Sequence, residues 1–216
     1  KNLILIPLFA FLFSGINEPE NGAQLNYVHI LFDWDQEPDA VSYNLQVSTS
    51  SLQFQNEIVL DVENETTAYI DTDNFNWNSV YYWRIRPIYI DEHIGEWSNI
   101  SNFSTGQTVL TNLDIDIYNE DLIQDGVIMY SQFSPYLATG VIDTYGNEIW
   151  NTQNIYMNHI NDYGKLYGLS GMGISFNFDQ EILWSTPQGI DIDGHEVKQI
   201  PNGNYMAFVP TFQTGP

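Results

Sequence analysis

Tyr81-Tyr82-Trp83-Arg84-Ile85-Arg86-Pro87 places Tyr81, Trp83 and Ile85 at every second position, with Tyr82, Arg84 and Arg86 between them. Successive side chains of a β-strand point to opposite faces, so this spacing describes a strand with one apolar face and one polar face. Ile30, Phe32 and Trp34 alternate in the same way, as do Tyr43, Leu45 and Val47. Turn-forming residues separate the runs, at 35–39 with Pro38, at Asn64-Glu65 and at 71–74. No stretch carries a helical stripe. Short alternating strands between frequent turns predict an antiparallel sandwich, and the chain reads as all-β.

Composition narrows what such a chain does. Its 216 residues make one large or two small domains, and 43% hydrophobic content supports a packed core. There is no cysteine, which excludes disulfides and thiolate metal sites. Against 28 acidic residues stand only 5 Lys+Arg, for a net charge of −23. A surface tracking nucleic-acid phosphates requires many cations, so nucleic acid is excluded as a partner, and an anionic membrane surface is disfavoured.

Within residues 20–106, Phe32-Asp33-Trp34, the run at 40–48, Tyr81 through Pro87, Gly95-Glu96-Trp97-Ser98 and Phe103-Ser104-Thr105 follow in order. In this they resemble the fibronectin type III modules of bacterial extracellular proteins. The resemblance implies that Trp34 and Trp83 pack in the core and that Tyr81 is a corner tyrosine whose hydroxyl caps a loop. Alternation puts Arg84 and Arg86 outward, where they offset the acidic surface. Such modules are spacers or docking units, and the fold alone supplies no activity.

Residues 107–216 keep the strand-and-turn pattern with different punctuation. Val141-Ile142-Asp143-Thr144-Tyr145-Gly146-Asn147-Glu148-Ile149-Trp150 reads as strand, turn and strand ending in Trp. A second copy runs from Ile174 through a turn at Asp179-Gln180 to Ile182-Leu183-Trp184-Ser185, 34 positions on from Trp150 to Trp184. A period of that size with an aromatic per unit indicates a propeller or solenoid. These units, with Gly194-His195-Glu196-Val197-Lys198-Gln199-Ile200-Pro201-Asn202-Gly203-Asn204-Tyr205, resemble the repeat of the arylsulfotransferase family. Those are secreted bacterial propellers that move a sulfuryl group between phenols. The quinoprotein dehydrogenase repeat fits less well, because Tyr145 precedes Gly146 and Asp143 to Trp150 is seven steps. The expected architecture is therefore a fibronectin type III-like sandwich followed by partial β-propeller blades.

The resemblance implies channel-facing histidines, one of them forming a covalent sulfo-histidine. His195 is the candidate catalytic residue, since a neutral imidazole serves as nucleophile or general base near neutral pH. Asp193, two residues back on the same strand face, is its candidate orienting partner, while Glu196 would point to the other face. His159 is a candidate substrate-binding residue lining the channel. The other two histidines, His29 and His93, fall in the sandwich. Asp191-x-Asp193-Gly194 admits a loose calcium reading but lacks the remaining acids of an EF-hand loop. No metal site and no cofactor are otherwise indicated.

Lys1-Asn2 precedes an apolar run at 3–13 and the small pair Ser14-Gly15. The run is about half the length that spans a bilayer, and its flanks match a secretory signal peptide over residues 1–15. No membrane span is expected in the mature chain. The sequence reads as a fragment open at both ends, which predicts no turnover by the fragment itself. Taken together, the expectation is a secreted, periplasmic or cell-surface bacterial protein. Its partners would be phenols and phenolic sulfate esters. The alternative from another class is a non-catalytic binding or adhesion protein whose sandwich and propeller engage a surface protein or glycan.

Overall fold

The alternating runs fold as strands throughout. A computed structural model describes residues 15–110, 119–193 and 195–211, and within these the chain is all-β, its only helical pieces being two single 3-10 turns. The apolar run at 3–13 lies outside the described residues. The chain divides into two compact units, Lys1–Gln24 with His29–Thr105, and Leu25–Val28 with Gly106–Pro216.

Among the described residues eight strands build the sandwich: β1 (Ile16–Glu18), β2 (Ala23–Leu25), β3 (Ile30–Trp34), β4 (Ala40–Ser48), β5 (Ile58–Asn64), β6 (Ala68–Asp71), β7 (Val80–Tyr89) and β8 (Ser101–Thr105). One sheet runs β1-β3-β6 and the other β2-β8-β7-β4-β5. Antiparallel register sets Leu45 opposite Ile85 and Val47 opposite Trp83 on one face. Across the interior Phe32 of β3 meets Trp83 at 5.1 Å and Phe103 at 5.9 Å, and Trp34 meets Tyr43 at 5.4 Å, all edge-on. Edge-to-face rings align the positive rim of one with the negative face of the other, adding about 0.5–1.5 kcal/mol per pair beyond burial. These rings are fully buried.

Two tyrosines close loops with their hydroxyls. Tyr81 Oη accepts the backbone N–H of Asn76 at 2.9 Å, the corner arrangement, and Tyr43 Oη accepts that of Glu37 at 2.7 Å. Burial pushes the Tyr43 phenol above its ordinary range, and the nearby Glu37 carboxylate adds to the rise. Arg84 and Arg86 do more than dilute acid: their guanidinium carbons lie 4.2 and 4.3 Å from the Trp97 ring centroid, and Arg84 also covers Phe54 at 4.3 Å. Gln46 and Asn44 hold the two forks from β4. The cations are thereby fixed as packing elements.

Nine strands follow among the described residues of the second unit: β9 (Ile128–Gln132), β10 (Ala138–Ile142), β11 (Glu148–Gln153), β12 (Tyr156–Ile160), β13 (Leu166–Leu169), β14 (Gly173–Phe176), β15 (Ile182–Ser185), β16 (Val197–Gln199) and β17 (Tyr205–Ala207). They form antiparallel sheets β11-β10-β9, β12-β13-β14-β15 and β16-β17. Trp150, Ile155, Met157, Leu166, Ile174 and Phe176 are their shared core, and Trp150 Nε1 donates to the Phe178 carbonyl at 2.9 Å.

One five-residue turn is used repeatedly. At 143–147 the Asp143 carboxylate accepts the N–H groups of Tyr145 and Asn147, each at 2.8 Å, and Gly146 takes φ +85°. At 161–165 Asn161 does the same for Tyr163 and Lys165, with Gly164 at φ +76°. At 177–181 Asn177 serves Asp179 and Glu181, with Gln180 at φ +66°. The 200–204 turn keeps the backbone pattern, with Gly203 at φ +87°, but begins with Ile200, and the Asn204 N–H is accepted by Asn202 Oδ1 instead. A left-handed fourth residue after a type I turn gives the twist that an antiparallel pair needs.

Residues 25–28, expected within the first module, group with the second unit. Val28 N–H donates to Ile149 O at 3.0 Å, Asn151 N–H to Asn26 O at 2.9 Å, and Asn26 Nδ2 to Asn151 O at 2.6 Å. This short segment therefore satisfies backbone groups of β11 that would otherwise be an open edge. Glu148 ties down the start of the unit: its carboxylate accepts the N–H groups of Val109 at 2.9 Å and Leu110 at 2.8 Å, and Asn151 Nδ2 at 2.6 Å.

Candidate functional site

Residues 191–193, 195 and 196, which lead into β16, are not in a strand. The alternation that placed Asp193 and His195 on one face does not apply there. The two are nevertheless paired, by a different device: His195 N–H donates to Asp193 Oδ1 at 2.9 Å, and His195 Nδ1 contacts the same oxygen. An aspartate accepting the N–H two residues on is an Asx turn, which Asp favours because its short side chain reaches its own backbone. Asp193 N–H is in turn held by the Phe208 carbonyl at 2.8 Å, so the turn is anchored next to β17. Glu196 instead pairs with Lys198, Oε1 to Nζ at 2.5 Å.

The His195 backbone N–H, and after it the ring, hold the Asp193 carboxyl below the ordinary carboxylate range. A carboxylate at Nδ1 favours the tautomer with its proton on that nitrogen, the one a nucleophilic or basic Nε2 requires. The imidazole side chain is 76% exposed. Its aromatic neighbour is Phe133, 6.1 Å between centroids, and Phe133 stacks on Tyr156 at 3.9 Å.

His159 stands on β12 opposite Tyr167 of β13, its ring 5.6 Å from the Tyr167 ring. Its ring contact thus runs to Tyr167, while that of His195 runs to Phe133. Among the described residues no group of three or more His, Asp or Glu is arranged to hold a metal ion, and Asp193 is engaged by His195.

Sequence reasoning overlooked a second polar cluster. Tyr205 Oη receives Lys165 Nζ at 2.8 Å and lies 3.1 Å from Ser175 Oγ, and its ring stacks on Trp184 at 3.6 Å. Lys165 Nζ also reaches Gln199 Oε1 at 3.3 Å. The signal available was Trp184 itself, an aromatic in the repeat that required a partner from a later strand. Ser175 is fully buried, so these contacts dock the β16-β17 hairpin on the four-stranded sheet.

No family model matches the chain, and no curated protein matches it. Among solved structures, an α-L-rhamnosidase from Streptomyces avermitilis, crystallised with L-rhamnose, aligns at TM-score 0.36 and 19% identity over 43% of this chain and 10% of its own. A β-1,2-glucanase from Parabacteroides distasonis aligns at TM-score 0.34 and 14% identity over 44% of this chain and 13% of its own. The chain thus spans about a tenth of the length of those structures. Similarity at that level decides neither fold nor activity. Among the described residues no helix is long and apolar enough to cross a membrane.

Proposed function

We propose that this chain is the sandwich and first blades of a secreted arylsulfotransferase-like protein, which moves a sulfuryl group from a phenolic sulfate ester to a phenol. The observation that carries the reading is the Asp193–His195 pair, in which the Asp193 carboxylate meets Nδ1 of the imidazole rather than Nε2. In the reaction Nε2 attacks sulfur, the S–O bond to the aryl group breaks, and the phenolate leaves with that electron pair and takes up a proton. An acceptor phenol then loses its proton to a base and attacks the sulfuryl group, releasing the imidazole. Asp193 compensates the positive charge that forms on the ring, and Phe133 and Tyr156 offer flat aromatic surface beside it.

The 76% exposure of the His195 side chain favours a second reading, because nucleophilic sites are enclosed. In that reading the protein is a non-catalytic cell-surface binder, and the Asp193–His195 turn is a structural Asx turn. The full-length protein separates the two. On a chromogenic aryl sulfate with phenol as acceptor, the enzyme reading predicts transfer that His195→Ala abolishes. No transfer at all leaves the binding reading, while transfer unchanged by His195→Ala keeps an enzyme and makes the Asp193–His195 turn structural.

A further inference from the structure

Only 5 Lys+Arg stand against 28 acids, and two of the five, Arg84 and Arg86, occupy alternate positions on the outer face of β7. Among the described residues neither guanidinium is in an ion pair; the pairs formed are His195–Asp193 and Lys198–Glu196. The register shows how carboxylates are kept off. β4 lies between β7 and β5, with Gln46 opposite both Arg84 and Asp61, and Asn44 opposite both Arg86 and Glu63. These two acids are therefore two strands away, about 9.6 Å. Each is engaged from β4: Gln46 Nε2 donates to Asp61 Oδ2 at 3.0 Å, and Ser42 Oγ to Glu63 Oε1 at 2.7 Å. Neutral amide oxygens hold the guanidiniums instead. Gln46 Oε1 accepts Arg84 Nε at 3.3 Å and Nη2 at 2.9 Å, and Asn44 Oδ1 accepts Arg86 Nε at 2.9 Å. On the other flank the segment 95–98 bonds to β7, Gly95 N–H to Pro87 O at 2.9 Å and Ser98 N–H to Ile85 O at 2.7 Å, which sets Trp97 against both cations. Burial, and after it the neighbouring Arg86 charge, lower the Arg84 guanidinium from its ordinary value, with Asp61 acting the other way.

We infer that Arg84 and Arg86 together form a binding site for one oxyanion, the carboxylate or sulfate monoester of a small ligand. Among the described residues Arg84 Nη1 and both Nη atoms of Arg86 have no acceptor. Those N–H groups form planar forks that match paired oxygens, which an ammonium does not. Side chains two apart on a strand stand about 6.6 Å from each other. One oxyanion can then accept from both forks, each at about 2.8 Å. Trp97 and the two amides already fix the guanidiniums, so little side-chain freedom is lost on binding. The same sheet face limits the ligand. Asp61 and Glu63, held on β5, repel a second negative charge, so the site takes a monoanion and rejects a polyanion.

The test titrates the isotope-labelled 216-residue chain with sodium acetate and, separately, sodium methyl sulfate, at constant ionic strength set with sodium chloride. The readout is the NMR shifts of the Arg84 and Arg86 Nε–H groups and the Trp97 indole. The expected result is a saturable shift confined to these groups, half complete at about 1–10 mM. Saturation by acetate alone identifies a carboxylate as the group bound, and by methyl sulfate alone a sulfate monoester; either supports the site. Arg86→Gln weakens binding about tenfold or more, and Arg86→Lys, which keeps the charge and loses the fork, weakens it as well. The double variant Asp61→Asn with Glu63→Gln leaves both guanidiniums in place, so it bears on the site even where an arginine variant fails to fold. It tightens binding about twofold or more. The inference is overturned if neither anion gives a saturable shift up to about 100 mM. It is equally overturned if Arg86→Gln folds and binds as the parent does, if the double variant weakens binding, or if oligoglutamate binds more tightly than acetate.

Discussion

Replacing Glu148 by Ala removes the acceptor for two backbone N–H groups and one side-chain amide at once. Val109 N–H lies 2.9 Å from Oε1, Leu110 N–H 2.8 Å from Oε2, and Asn151 Nδ2 2.6 Å from Oε1. Val109 is buried, so its N–H has no ready replacement in water. Hydrogen bonds to a charged acceptor contribute about 1.5–3 kcal/mol each, and a stranded buried donor costs about 1–3 kcal/mol. Relief from burying an ionised carboxylate offsets part of the sum. The net expectation is a loss of about 2–4 kcal/mol for Glu148→Ala, and about half of that for Glu148→Gln, which keeps one oxygen. Because the chain has two compact units, a whole-chain melt is not one transition and the loss is read locally. Native-state amide exchange at Val109 and Leu110 is the assay, with Ile85 of the sandwich as internal control. At tenfold per 1.4 kcal/mol, protection in Glu148→Ala falls by about 30- to 700-fold. Protection at Val109 within about threefold of the parent would refute the reasoning, since Glu148 would then be a bystander.

Four further outcomes are expected. Tyr81→Phe leaves the Asn76 N–H without its acceptor and destabilises the sandwich by about 1–2 kcal/mol in urea unfolding. Gly146→Ala forces a side chain into φ +85° and costs about 1–2 kcal/mol, visible as faster exchange in the 143–147 turn. Trp97→Leu removes the ring both arginines cover and costs about 1–2 kcal/mol in the sandwich, an effect absent when Arg84 and Arg86 are already replaced by Gln. The His195 N–H and ring depress the Asp193 carboxyl, so the turn's stabilisation is intact above the ordinary Asp range and is lost as pH falls through the lower folded value. An NMR titration of the His195 amide therefore inflects below the ordinary Asp range, and in Asp193→Asn the inflection disappears.

The sandwich was legible because its strands each bury one face, so Tyr43, Leu45 and Val47, or Tyr81, Trp83 and Ile85, announce themselves by period alone. The role of Arg84 and Arg86 was not, since their stacking depends on Trp97 arriving from a loop beyond β7. In the second unit the turns at 143–147 and 177–181 stood out by their tryptophans. The equivalent turn at 161–165, with Asn161 and Gly164 in the same roles, passed unnoticed because no Trp follows it. The place of residues 25–28 against β11 was invisible for another reason: pairing between Asn26 and Asn151 is fixed by folding, not by any local pattern. His195 was singled out on the family resemblance and Asp193 on strand alternation, yet an Asx turn joins them.

The central claim is that His195 accepts a sulfuryl group, and pre-steady-state mixing tests it most directly. Full-length protein is mixed with a chromogenic aryl sulfate in the absence of acceptor. The account predicts a burst of about one phenolate per protein, followed by slow turnover, with the burst absent in His195→Ala and slowed in Asp193→Asn. An undiminished burst in His195→Ala, or no burst and no transfer to added phenol, contradicts it.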